Sequence, residues 1–151
     1  MTKRLMVAAA CVAAFVASSV SDADAASKHA FSGTLRARVL TASPSLVIYT
    51  GIASAKGLGE GSVVIRVTPA QTPNTFNSTA TAFFKNGSVT AKGTNTQTTD
   101  PANNATYNGS AKAISGTGAF KGVKGSIKLT GASPGTDPTY ATLAFKGSLT
   151  Y

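Results

Sequence analysis

The sequence predicts an all-β domain of about eight short antiparallel strands behind a cleaved leader. Three observations lead there. Apolar residues recur with period two from residue 31 onward, no helical stripe interrupts them, and Gly, Pro and Asn punctuate the segments at even intervals. Short strands at even spacing indicate a sandwich or a closed barrel, and only closure removes sticky sheet edges.

The leader comes first. Lys3 and Arg4 precede an uncharged apolar run, Leu5 to Ala17, and Ala23-Asp24-Ala25 forms an A-x-A cleavage site before Ala26. That pattern predicts a signal peptide over residues 1–25, and its apolar run is too short for a stable membrane span. The single cysteine, Cys11, lies inside that run rather than at its end, so lipidation is not expected. Residues 26–151 then form one domain without cysteine, which excludes a disulfide framework and a thiolate metal site. A secreted or periplasmic location, in a bacterial host, is the expectation.

The strands follow in order. Phe31, Leu35, Ala37 and Val39 share one face, opposite Ser32, Thr34, Arg36 and Arg38. Residues 46–54 are mostly apolar or β-branched, as in a strand covered on both sides. After the break Gly57-Leu-Gly-Glu-Gly61, alternation resumes at Val63, Ile65 and Val67. Pro69 and Pro73 bracket a loop, and Phe76, Ala80, Ala82 and Phe84 mark one face of the fourth strand. Asn86-Gly87 predicts a two-residue type I′ hairpin, since both central positions of that turn need positive φ. Val89 and Ala91 open the fifth strand; residues 95–105 read as a polar loop without an apolar anchor. Tyr107 to Ile114, a strand holding Ile127 and Leu129, and one aligning Leu143, Phe145, Leu149 and Tyr151 complete the set.

Two of these segments carry a family likeness. Phe84-Lys-Asn-Gly-Ser-Val-Thr-Ala-Lys-Gly-Thr-Asn95 resembles the hairpin of dirigent proteins and allene oxide cyclases. Ile114-Ser-Gly-Thr-Gly-Ala-Phe-Lys-Gly-Val-Lys-Gly-Ser126 resembles their shared Gly-Thr-Gly-x-Phe signature, and Gly57 to Gly61 falls where the family has a glycine-rich turn. The resemblance implies an eight-stranded antiparallel, calycin-like barrel with an apolar central cavity, often trimeric, steering lipophilic intermediates without metal or organic cofactor. It makes Asn86, Gly87, Gly116, Thr117, Gly118, Phe120, Gly122, Lys124 and Gly125 the structural signature, with Phe120 as a plug at one end. Two departures stand out: the first strand, Phe31 to Thr41, lacks the family's cavity aspartate, and Lys124 replaces an arginine.

The reactive inventory is short. His29 is the only histidine and sits near the predicted mature N-terminus, where a frayed tail is expected. A histidine-rich metal site and a Cys-His pair are therefore excluded, and no cofactor is expected. Asp100-Pro101 and Asp137-Pro138 read as turn initiators. Glu60, beside a family turn, is the candidate catalytic residue, as a cavity-mouth acid or base; its plainer reading is an exposed turn residue paired with a nearby cation. Tyr49, Phe76, Phe84 and Tyr140 are the candidate ligand-binding aromatics, which either line a cavity or fill the core.

Net charge is +9, and the leader removes as many bases as acids. The cations stand singly along the sequence, without the interleaved aromatics of single-strand binders, so nucleic acid is not an expected partner. The leading expectation is an exported barrel that binds a small apolar or aromatic molecule without chemistry of its own. A dirigent-like or cyclase-like steering protein, and a basic module meeting acidic cell-envelope polymers, are the alternatives.

Overall fold

A computed structural model describes residues 26–151; the predicted signal peptide lies outside them. Eight strands, β1 (Lys28–Ser43), β2 (Leu46–Ala55), β3 (Gly59–Pro69), β4 (Thr75–Phe84), β5 (Gly87–Thr99), β6 (Ala105–Gly116), β7 (Lys124–Ser133) and β8 (Tyr140–Thr150), form one closed antiparallel barrel. Each pairs with its chain neighbour, and β1 closes on β8 from Lys28↔Thr150 to Arg38↔Tyr140. The period-two pattern thus becomes an inside and an outside. Leu35, Ala53, Val63, Val89, Ala91, Ala111, Ala113, Ile127 and Phe145 meet in the buried core, while Thr34, Arg36, Ser54, Ser62, Lys112 and Lys128 face out.

So narrow a cylinder cannot take a large side chain at every inward position, and glycines provide the seats. Phe145 lies over Gly33, where an added Cβ would come within 2.6 Å of the ring tip, and Phe84 lies over Gly61 in the same way at 2.8 Å. Phe31 stacks on Phe145 with centroids 4.9 Å apart. Inward alanines alternate with these rings, so the middle of the barrel is nearly solid, with a residual void of about 80 Å³.

The two segments that carry the family likeness dock on one another at one end. Thr117 N–H donates to the Ser88 carbonyl at 2.9 Å, Ser88 N–H donates to Thr117 Oγ1 at 3.0 Å, and the two hydroxyls share a 2.8 Å bond. Ala119 N–H reaches the Asn86 carbonyl at 2.8 Å. A single 3-10 turn, Gly118–Phe120, then drops Phe120 into the barrel end, where it is 1% exposed and meets Phe84 and Tyr151 edge-on. Leu149, fully buried, and Val123 complete this closed end.

Three expectations change. The β4–β5 hairpin turns on Lys85 and Asn86, not on Asn86-Gly87: Phe84 pairs with Gly87, and Asn86 does not have positive φ. Gly87 (φ +143) serves the docking instead, because a Cβ there would lie 2.0 Å from the Thr117 carbonyl oxygen. Residues 95–99 are strand, not loop, and pair with Gly109 to Ala105. Threonine at alternate outward positions suits a pleated wall even without an apolar inward partner. His29 is not frayed; it pairs with Leu149 in β1 and stacks on Tyr151 at 4.5 Å.

Phe120→Ala should cost about 3–5 kcal/mol in a urea titration, the range for emptying a buried aromatic site. Phe83→Ala, on the outer face and 49% exposed, should cost about 1 kcal/mol or less.

Candidate functional site

The opposite end of the barrel is open. It is built by the end of β1, the starts of β2, β4, β6 and β8, and the ends of β3, β5 and β7. A cavity of about 210 Å³ lies there, walled by Ala37, Leu46, Val47, Ile65, Val67, Phe76, Ala141 and Leu143. A polar edge runs along one side: Asn95 and Gln97 from β5, Tyr107 from β6, and Tyr49 from β2 across from them. None of the lining side chains is a carboxylate or a cation.

The polar edge is braced from beneath. Asn95 Nδ2 donates to Ser78 Oγ at 3.0 Å, and its Oδ1 occupies the space left by Gly109, where a Cβ would come within 2.0 Å. Tyr107 donates its phenol to Ser133 Oγ at 3.1 Å. Ser78 and Ser133 are buried, so these bonds also satisfy groups that water does not reach. Burial holds the Tyr49 phenol above its ordinary value of 10.0, and the neighbouring Tyr107 adds to the rise. Tyr49 therefore stays neutral across the physiological range, as a donor rather than a base.

The sequence candidates scatter. Tyr49 and Phe76 line the cavity. Phe84 does not; its ring borders the inner void and packs at the closed end. Tyr140 pairs with Arg38 on the outer wall and takes the Arg38 guanidinium over its ring at 5.3 Å. Glu60 is exposed on the outer face of β3 opposite Ser54, since Gly61, Val63 and Ile65 take the inward positions; it is not at the cavity mouth. The signature residues belong to the closed end, far along the barrel from the cavity.

Asp100 and Asp137 hold the rim. Asp100 accepts from Ala102 N–H at 2.9 Å and Asn104 N–H at 2.8 Å, and the Asn104 carboxamide oxygen accepts from Gly135 N–H at 2.9 Å, tying two loops together. Asp137 pairs with Arg38 at 3.2 Å and caps Thr139. Hydrogen bonds from Asn104 and Thr139 hold the two carboxyls below the usual range. Sequence reading missed Asn95, Gln97 and Tyr107 as site residues. The available signal was the alternation of Asn95 and Gln97 with Thr94, Thr96 and Thr98, which marks a strand with a polar inner face. Among the described residues, no group of three His, Cys, Asp or Glu side chains is placed to hold a metal, and no helix is long and apolar enough to cross a membrane.

The sequence matches no protein-family model and no curated protein. Among solved structures, the chain is similar to the pterocarpan synthase dirigent protein PsPTS1, with a TM-score of 0.59 at 12% identity over 84% of this chain and 97% of that one. The fold is therefore dirigent-like.

The raised Tyr49 value fixes a sign. Its contribution is fully present below the unfolded phenol's pKa and is lost as pH rises through the higher folded value. In an alkaline titration followed by phenolate absorbance, Tyr49 should ionise above the ordinary phenol range, and Tyr49→Phe should remove that late phase.

Proposed function

We propose that this chain is an exported dirigent-like barrel that binds one small, ring-sized apolar or aromatic molecule at its open end, without catalysing a reaction on it. The carrying observation is the cavity itself: an apolar wall faced by Tyr49, Tyr107, Asn95 and Gln97, with no ionisable group able to move a proton near pH 7. A dry cavity of about 150 Å³ suffices for benzene, so about 210 Å³ suits one substituted ring. The wall would bury the ring, and the polar edge would orient a hydroxyl or carbonyl, a division typical of small-molecule sites. The leader pattern supports export, and the likeness to the allene oxide cyclases belongs to the same reading.

A second reading has one observation in its favour. The solved neighbour is a pterocarpan synthase, and here two phenols face one cavity, positions from which a reactive guest could be held in one pose. On this reading the barrel steers by shape and hydrogen bonds, since Glu60 lies outside. Self-association, which the family likeness implies, would use the outer face of β2–β4, where Ile52, Val64 and Phe83 are exposed near one another.

Binding of p-cresol, read by saturation-transfer NMR, should be lost in Leu143→Trp, which fills the cavity, with the melting curve preserved. Tyr107→Phe should weaken it by about fivefold, the worth of one hydrogen bond. Binding that survives Leu143→Trp would remove the open-end site. Glu60→Gln should leave affinity within about twofold, because an exposed outer-face charge contributes little there; loss of binding in that variant would return the acid to the site.

A further inference from the structure

The outer wall concentrates charge that the sequence disperses. Lys92 of β5 lies directly opposite Lys112 of β6, and Lys128 of β7 lies directly opposite Lys146 of β8. All four are exposed. Ser110 faces Lys128 and Lys112 faces Ser126, so the two pairs are diagonal neighbours across β6 and β7. At strand spacings of about 4.8 Å the band crosses four strands over about 14 Å. Thr79 adjoins Lys92 on one flank, with Arg66 beyond it, and Ser32 adjoins Lys146 on the other.

Like charges directly opposite one another destabilise a sheet, so this arrangement works against the fold. Among the described residues no carboxylate relieves it: Glu60 lies on β3 opposite Ser54, and Asp100 and Asp137 hold the rim of the open end. The band attracts a polyanion, and its chemistry narrows which. Lysine ammoniums are point charges that pair with carboxylate and phosphate alike, so the neighbouring groups make the choice. No aromatic ring stands among the cross-strand partners to stack a base. A single exposed isoleucine, Ile114, borders the band, too little apolar surface to enter a bilayer. The hydroxyls of Ser110 and Ser126, set between the ammoniums, with Ser32 and Thr79 on the flanks, fit a partner rich in hydroxyls of its own.

We infer that the outer wall of β5–β8 is a docking surface for a carboxylated polysaccharide, laid across the strands with its carboxylates against the lysine pairs. This surface is separate from the open-end cavity and does not depend on what the cavity holds.

Polygalacturonate binding to the full chain purified from its host tests the inference. The wild type should bind it, more weakly as salt rises. Lys112→Gln/Lys128→Gln should lose about tenfold or more in affinity. Lys56→Gln/Lys121→Gln removes the same charge from the closed-end turns and should stay within about threefold. Lys112→Arg/Lys128→Arg keeps the charge and should keep binding, which separates charge from any loss of folding. Equal losses in the two glutamine variants, no binding by the wild type, or tighter binding to duplex DNA or to phosphatidylserine vesicles would each overturn the assignment.

Discussion

The pairing of β1 with β8 is the constraint on which the rest of the molecule depends. Until Lys28–Arg38 lies along Tyr140–Thr150, the strands form an open ribbon with two bare edges and no defined inside. Closure gives each alternate residue a fixed destination. It also limits the interior to what eight strands enclose, which is why inward glycines and alanines must accompany Phe31, Phe84 and Phe145. The pairing is non-local, between the two ends of the described chain, so it is the most entropically demanding contact in the fold.

The two ends of the cylinder receive opposite treatment. At one, the turn after β6 folds over the β4–β5 hairpin, and Thr117 and Ser88 satisfy one another while Phe120 excludes water. At the other, the strands run on past the last packed layer, and along one side, from β5 to β7, inward residues become polar: Asn95, Gln97, Tyr107 and Ser133. Polar inward groups persist there because each is bonded to a neighbour or open to solvent, which a solid core does not allow. The rim loops are held by Asp100, Asn104 and the Arg38–Asp137 pair, so the mouth is a braced opening and not a loose tangle.

The absence of acid from the cavity wall shapes its chemistry. A phenol held neutral by burial donates a hydrogen bond and releases no proton near neutral pH. In the proposed binding role the wall would orient a guest by shape and hydrogen bonds. On the outer surface the division is different again: apolar side chains gather on β2–β4 and ammoniums on β5–β8, two faces of one cylinder turned in different directions.

Strand identity was largely legible in the chain, because period-two patterning and glycine-rich turns are local properties, while the Phe120 plug came with the family resemblance. Tyr49 and Phe76 could be singled out as aromatics on strands. Residues 95–99 were not legible as strand, because their inner face is polar and hydrophobic alternation is then silent. Nor could the chain place Glu60 and Tyr140 outside, since one step of register moves a side chain through the wall. The lysine band was hidden for a related reason: residues 92 and 112, or 128 and 146, become neighbours only by cross-strand pairing. Local patterning determined which segments are strands and where they turn; closure and register, which are long-range, decided which residues share a cavity and which share a charge.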